Sequence, residues 1–226
     1  MDNISKVVVL ISANAEWEAI RHLFPDALYQ KSPFGEWFVH GGMIIFQGGW
    51  GKISAAASAQ YVIDRWQPEL LVNLGTCGGF EGEIERGTVI LAERTAVYDI
   101  IEQMDDDTPF LAFYATQVDL SWLAEPYPMA VKRTLLVSAD RDLLSDEIPT
   151  LKERYGAAAG DWESGAIAWV AARNGVRLLI LRAVSDLVGS HGGEAYGDYE
   201  GFKRAARGIM ERLIASLPAW LERAKI

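Results

Sequence analysis

The chain has 226 residues, of which 50% are hydrophobic, 11% aromatic and 23% charged, close to the average of globular proteins. This composition excludes a disordered, collagen-like or low-complexity chain. Acidic residues number 31 and basic residues 21, so the formal net charge is −10. Because an anionic molecule repels phosphate backbones and anionic lipid, we expect neither nucleic acid nor a membrane as a partner.

Local sequence features predict a cytoplasmic protein without a metal or cofactor. The first apolar run, residues 7–11, is too short for a signal peptide or a membrane span. The single cysteine, Cys77, cannot form an internal disulfide, and the three histidines lack metal-ligand spacing. The segment G-G-W-G-K at 48–52 matches neither the dinucleotide nor the Walker glycine pattern.

The amino-terminal half predicts strands that alternate with helices. A β-branched run at 7–12 is typical of a strand covered on both faces, and residues 15–24 have helical spacing. Alternating residues at 36–48 predict a hairpin that turns at Gly41 and Gly42. A helix over 53–66, a strand over 70–74 and a glycine-rich turn over 75–80 are expected next.

The remaining chain continues this alternation. Buried strands are predicted at 88–92, 110–115, 134–138 and 177–184, helices at 162–173 and 198–217, and a solvated acidic loop at 105–107. Strands alternating with helices indicate an α/β fold around one mostly parallel or mixed sheet. Neither a linker nor an internal repeat divides the sequence, so we expect residues 1–226 to form a single domain.

Polar residues gather where the predicted strands end, which is where ligands bind in open α/β sheets. The segments are Glu16 and Glu18, 75–79, Ser185–Asp186, and 161–168, which opens a helix. Each also has a plainer interpretation, because acids favour the first turn of a helix, glycines form tight turns and Asp161 could cap a helix. Their shared position at strand ends favours one functional site.

Several motifs in register carry a family resemblance. They are G-W-G-K-I-S-A-A at 49–56, N-L-G-T-C-G-G at 73–79, R-G-T-V-I-L at 86–91, D-W-E-S-G-A-I-A at 161–168 and L-R-A-V-S-D at 181–186. With these motifs the chain resembles the nucleoside phosphorylase/nucleosidase superfamily, and within it the methylthioadenosine/S-adenosylhomocysteine nucleosidases. The resemblance implies a three-layer α/β/α fold with a central mixed, mostly parallel sheet, a homodimer, and cleavage of the N-glycosidic bond of a purine nucleoside.

That reaction requires two acidic groups in opposite protonation states. Adenine leaves poorly as an anion, so an acid must protonate N7 of the base while the ribose passes through an oxocarbenium-like state. A base must also activate the attacking water. A buried aspartic acid that keeps its proton can serve as the donor.

The resemblance implies a role for each matching residue. Asp186 corresponds to the acid toward N7, Ser185 orients it, and Glu163 binds the ribose hydroxyls. The other residues expected to contact the substrate are Thr76, Cys77, Gly78, Leu143, Trp162 and Tyr196.

The sequence departs from the family pattern at three positions. Without gaps, the family's water-activating glutamate falls on Trp17, and a one-residue shift gives either Glu16, which we prefer because it lies nearer the strand end, or Glu18. Trp162 replaces a methionine before the ribose-binding glutamate. Asp142, before Leu143, stands where the family has an aromatic ring against the purine.

Two alternatives to hydrolysis stay open. A phosphorylase would need cations to hold orthophosphate, and Arg86 and Arg94 lie near the motifs but not at the positions expected for phosphate. Hydrolysis is therefore favoured over phosphorolysis. The third interpretation is a non-catalytic nucleoside-binding protein that keeps the fold.

Overall fold

The computed structural model describes residues 6–104 and 108–226, so the acidic triplet at 105–107 lies outside the described residues. The strands are β1 (Val7–Ile11), β2 (Gln30–Lys31), β3 (Glu36–His40), β4 (Met43–Gln47), β5 (Leu70–Phe80), β6 (Val89–Val97), β7 (Thr116–Gln117), β8 (Lys132–Ser138), β9 (Ala159–Asp161), β10 (Arg177–Gly189) and β11 (Gly192–Gly193). The helices are α1 (Asn14–Leu23), α2 (Gly51–Trp66), α3 (Thr108–Phe113), α4 (Ile148–Tyr155), α5 (Ser164–Asn174) and α6 (Tyr199–Ala224).

All of these strands belong to one mixed sheet. β1 lies between β4 and β5 and is parallel to both. β5 is also parallel to the long strand β10, which pairs antiparallel with β6. β6, β8 and β9 follow in parallel, and β9 returns to pair antiparallel with β5. The strands β5, β10, β6, β8 and β9 therefore close a ring beside the open part of the sheet.

Helices cover the sheet in two pairs. α1 packs against α6, and α2 packs against α5. Every residue of β1 is buried, as expected for an apolar strand covered on both faces. On the last helix, Ala206, Ile209, Leu213 and Leu217 form a buried stripe as well. The predicted α/β fold with a mixed central sheet is thereby confirmed.

One predicted strand is wrong. Residues 110–115 were expected to form a buried strand, but the chain forms the short helix α3 over Thr108–Phe113. Pro109 occupies the first turn of this helix, where its missing N–H costs no hydrogen bond. Leu111 is the buried residue of α3. A short apolar run does not distinguish a strand from a helix, because the spacing of hydrophobic residues becomes clear only over a longer segment.

The predicted turn at 75–80 is also wrong, because β5 continues through Phe80. The glycines of this segment serve close packing. A Cβ atom on Gly79 would lie 2.7 Å from side-chain carbons of both Ile84 and Val184. β10 likewise extends beyond its predicted end at 184, with a register shift between Val184 and Asp186. Both polar segments therefore lie within strands instead of after them.

None of the helices in the described ranges is both long and apolar enough to cross a bilayer. The longest, α6, has 26 residues and begins with an Asp198 side chain that accepts a hydrogen bond from the backbone N–H of Gly201.

Candidate active site

A cavity of about 680 Å³ opens beside the carboxyl halves of β5 and β10 and the first turn of α1. The ionisable acidic and basic side chains that line it are Glu16, Asp142, Asp161, Glu163 and Asp186, with Arg141 and Arg182. The predicted contact residues Thr76, Cys77, Gly78, Leu143, Trp162, Ser185 and Tyr196 line it too. Except for Glu18, the predicted site residues thus meet around one cavity.

Arg182, in the middle of β10, is buried and forms the centre of the polar wall. Its guanidinium nitrogens lie 3.1 Å from Asp161 Oδ2, 3.2 Å from Glu163 Oε2 and 3.7 Å from Glu16 Oε1. It also donates hydrogen bonds to the carbonyl oxygen of Thr76 and to Asn73 Oδ1, both at 3.1 Å. A buried guanidinium is tolerated when its donors are satisfied in this way.

Three carboxyl groups around one guanidinium leave an excess of negative charge. Burial alone would lower the pKa of Arg182, but Asp161, Glu163 and Glu16 raise it above its ordinary value, so the guanidinium stays charged. Burial raises the pKa of Glu163 to about 8, and Asp161 and Glu16 add to this increase against the opposing effect of Arg182. Burial and the neighbouring carboxyl groups therefore favour the protonated form of Glu163.

Glu16 lies in the first turn of α1 and points into the cavity wall. Its Oε1 accepts hydrogen bonds from the backbone N–H and the hydroxyl of Thr76, at 2.6 and 2.9 Å. Its Oε2 accepts a hydrogen bond from the backbone N–H of Ala13 at 3.1 Å, at the amino-terminal end of the helix. These contacts fix the carboxylate between α1 and β5.

Glu18 and Trp17, the other two positions considered for the same role, face elsewhere. Glu18 is exposed, and its Oε2 lies 2.7 Å from Nζ of Lys203 on α6. Trp17 is buried in the core, where it contacts the rings of Tyr29 and Phe38. Of these three neighbours, Glu16 is the one that lines the cavity.

Asp186 approaches the cavity from β10. Its Oδ1 accepts a hydrogen bond of 2.6 Å from the hydroxyl of Ser185. Burial raises the pKa of Asp186, and the negative charges of Glu194 and Asp142 act in the same direction. The hydrogen bonds from Ser185 and from the backbone of Ala195 have the opposite, smaller effect.

Glu163 lies at the amino-terminal end of α5 and connects it by a hydrogen bond to the start of α2. Its Oε1 accepts a hydrogen bond of 3.1 Å from the backbone N–H of Gly51, which begins α2. Trp162, just before it, stacks on Trp50, just before Gly51, with ring centroids 6.2 Å apart. The two tryptophans therefore flank Glu163 on the cavity wall.

The opposite wall is formed by β5 and the loop after β8. A Cβ atom on Gly78 would lie 3.1 Å from Cδ1 of Leu143, so these two residues are in close contact. The carbonyl oxygen of Leu143 accepts a hydrogen bond of 2.7 Å from the hydroxyl of Tyr196. Burial raises the pKa of the Cys77 thiol, which keeps that thiol protonated.

Within residues 6–104 and 108–226, no cluster of three His, Cys, Asp or Glu side chains is arranged to hold a metal ion. The carboxyl groups of Glu16, Asp161, Glu163 and Asp186 are instead bound by Arg182, by hydroxyls and by backbone N–H groups. The cavity thus holds several carboxyl groups, each in a different environment, which can serve as acids or bases toward a bound molecule.

The family model of the phosphorylase superfamily matches residues 7–218, which is nearly the whole chain. The chain belongs to the phosphorylase superfamily. The resemblance drawn from the sequence motifs is thereby confirmed.

Two relatives are similar to this chain over most of their length. A 5'-methylthioadenosine/S-adenosylhomocysteine nucleosidase of Staphylococcus aureus is 26% identical over 195 residues, which cover 79% of this chain and 82% of the relative. The enzyme of the same name from Marinomonas is 23% identical over 70% of this chain and 73% of its own.

Solved structures of the superfamily have the same fold. The 5'-methylthioadenosine/S-adenosylhomocysteine nucleosidase of Helicobacter pylori superimposes with a TM-score of 0.79 at 18% identity, over 96% of this chain and 99% of its own. The futalosine hydrolase of Helicobacter pylori superimposes with a TM-score of 0.77 at 17% identity, over 96% and 98%.

Two residues of the polar wall do not follow from the sequence motifs. Arg182 lies within the L-R-A-V-S-D motif without a predicted role, and Asp161 is predicted only as a helix cap. Asp161 Oδ1 accepts a hydrogen bond of 2.5 Å from the hydroxyl of Ser138. A signal for Arg182 was present, because an arginine inside a continuous apolar strand is buried only when it is paired.

Proposed function

We propose that this chain hydrolyses the N-glycosidic bond of a purine nucleoside and releases the free base. The observation that carries the proposal is that Glu16, Glu163 and Asp186, from three distant segments, line one cavity. Acids in different environments around one space can hold opposite protonation states, which this reaction requires.

Asp186 is the proposed general acid. Its raised pKa favours the protonated form, which can donate to N7 of the purine as the base leaves. Ser185, whose hydroxyl donates to one carboxyl oxygen, orients the group. Protonation at N7 makes the departing base neutral and so lowers the barrier to cleavage of the bond.

Glu16 is the proposed base that activates water. Thr76 and Ala13 hold both of its oxygens by hydrogen bonds, which fixes the carboxylate for one direction of attack. The proton taken from water goes to Glu16, and the hydroxyl oxygen forms the new bond to the anomeric carbon. The electron pair of the broken bond stays with the protonated base.

Glu163 is the proposed partner of the ribose hydroxyls. Its carboxyl group lies with those of Glu16 and Asp161 around Arg182, and the negative charges of Glu16 and Asp161 lie beside the proposed position of the sugar. Negative charge there stabilises the oxocarbenium-like transition state.

The substrates that we propose to test first are methylthioadenosine and S-adenosylhomocysteine, because relatives bearing those names match most of the chain. The lining of the cavity is suited to a thioether substituent on the ribose. Its aromatic lining residues are Trp50, Trp162, Tyr196, Tyr199 and Phe202. Aromatic walls favour the thioether that both substrates carry at the 5' position over a phosphate there.

Water is favoured over orthophosphate because the cations near the cavity are already paired. Arg182 binds three carboxyl groups, and the guanidinium of Arg141 lies 2.7 Å from a carboxylate oxygen of Glu147. Lys52 forms ion pairs with Asp99 and Asp140. Phosphate needs unneutralised donors, and binding it here would break these pairs.

A substrate panel tests the proposal. The protein is incubated with each nucleoside in phosphate-free buffer, and the released base is measured by chromatography. We expect adenine from methylthioadenosine and S-adenosylhomocysteine at a rate that added phosphate does not raise. Release that depends on phosphate supports the phosphorylase, and binding without release over many hours supports the non-catalytic protein.

The proposal includes the homodimer that the resemblance implies and the cytoplasmic location that the sequence features predict. Support for self-association comes from large apolar side chains in solvent, among them Trp50 at 62%, Ile53 at 84% and Met104 at 92% exposure. Burying such side chains against a second copy would be favourable.

A further inference from the structure

Asp142 is a carboxylate of the cavity that the proposed reaction does not use. It lies in the loop after β8 and lines the same cavity as Asp186. Across the described ranges of the chain, Asp142 has no ion-pair partner. The adjacent Arg141 does not neutralise it, because both carboxylate oxygens of Glu147 lie 2.7 Å from Arg141 Nη2. The charge of Asp142 is therefore available to a ligand.

Leu143 and Tyr196 line the cavity together with Asp142. The Leu143 carbonyl oxygen accepts one hydrogen bond from Tyr196 and keeps a second lone pair. Asp142, Asp186 and Tyr196 line the same cavity. Burial is the main cause of the raised pKa values of Asp186 and Tyr196, and the negative charge of Asp142 adds to both. The donor among them that the reaction needs is the carboxyl proton of Asp186.

The edge of a purine that carries N7 also carries the substituent at C6. In adenine this edge has an acceptor at N7 and an amino donor at C6, whereas in 6-oxopurines both atoms are acceptors. When Asp186 donates to N7, the C6 substituent faces the groups beside Asp186. A carboxylate there attracts an amino group and repels a carbonyl oxygen.

We propose that Asp142 is a specificity-determining residue that accepts a hydrogen bond from the 6-amino group of the base and disfavours 6-oxopurines. This inference rests on the proposed function, because contact of Asp186 with N7 sets the orientation of the base. A hydrogen bond to a charged acceptor changes relative affinity by about tenfold to a hundredfold. Repulsion between the Asp142 carboxylate and the carbonyl oxygen of a 6-oxopurine adds to the preference for a 6-aminopurine.

The test compares two nucleosides that differ only at C6, methylthioadenosine and methylthioinosine. Their kcat/KM values are measured for the wild type, Asp142→Asn and Asp142→Ala. Asp146→Asn is the matched control, because it removes the same charge from an exposed position of the same loop that does not line the cavity. We expect the wild type and the control to prefer the 6-amino substrate by about tenfold to a hundredfold. In both Asp142 variants the ratio should fall towards one.

Binding of the free bases separates this inference from the proposed function. The Kd values of adenine and hypoxanthine are measured by calorimetry for the same four proteins, which requires no hydrolysis. If no nucleoside is cleaved but adenine is preferred in an Asp142-dependent way, the proposed reaction is wrong and the specificity assignment holds. A wild-type preference for the 6-oxo compound, an unchanged ratio in Asp142→Ala, or binding of neither base contradicts the assignment.

Discussion

Two glutamates of α1, only two positions apart, have opposite environments. Side chains at positions i and i+2 of a helix point in different directions. Glu16 therefore turns toward Thr76 and the cavity, whereas Glu18 reaches Lys203 at the surface. The sequence narrowed the proposed base to these two residues, but their roles depend on how α1 is rotated against β5, which no local pattern encodes.

The pair gives a matched test of the base assignment. Glu16→Gln should lower kcat by about 10²-fold to 10⁴-fold, because the amide cannot take a proton from water. Glu18→Gln breaks a surface ion pair whose contribution to stability is below about 1 kcal/mol, so its kcat should equal that of the wild type. Both variants are measured on the same substrate. Equal activities of the two variants would contradict the assignment of Glu16.

At the scale of elements, the secondary structure of long periodic segments could be predicted from the sequence. That of the glycine-containing strand segment could not. The helices α1, α2, α5 and α6 follow their apolar spacing because one face of each packs on the sheet or on another helix. The extension of β5 through the glycines was not predicted, because glycine is normally a turn residue. Here the lack of a side chain allows close approach, which is a tertiary requirement.

Gly75 in β5 is the clearest case. A Cβ atom there would lie 2.4 Å from Arg182 Nη1 and 2.7 Å from Glu16 Oε1. Gly75→Ala should therefore push these two groups aside, which lowers the free energy of unfolding by about 1–3 kcal/mol and reduces kcat/KM. Urea unfolding and steady-state kinetics measure the two effects.

Gly208 provides the control for this substitution. It lies on the exposed side of α6, and a Cβ atom there would meet no atom within 4 Å. Gly208→Ala should raise the free energy of unfolding by about 0.5–1 kcal/mol through helix propensity and leave kcat/KM unchanged. A Gly75→Ala protein as stable and active as the wild type would show that β5 and β10 can separate without cost to the site.

At the scale of the whole molecule, the site exists only because the sheet brings distant segments together. Glu16 comes from α1, Glu163 from the start of α5 and Asp186 from β10, and all three line one cavity. The motifs indicated these positions because they resemble a known family. The buried network of Arg182 could not be predicted, since Glu16 is far in sequence from Asp161 and Glu163, and these carboxyl groups meet Arg182 only because α1, β9 and the start of α5 pack around β10.

Electrostatic effects in this protein act over two different distances. The overall charge disfavours anionic polymers as partners through long-range repulsion. Inside the cavity, burial and close charges decide which acid keeps its proton. The proposed chemistry depends on the second effect, and above all on the proton of Asp186.

Asp186→Asn tests that dependence most directly. Asparagine has nearly the same shape but no carboxyl proton to donate to N7, so turnover of methylthioadenosine should fall by about 10²-fold to 10⁴-fold or more. Calorimetry on the same variant should give a nucleoside Kd close to that of the wild type and an unchanged unfolding midpoint. An Asp186→Asn protein that releases adenine at the wild-type rate would contradict the account.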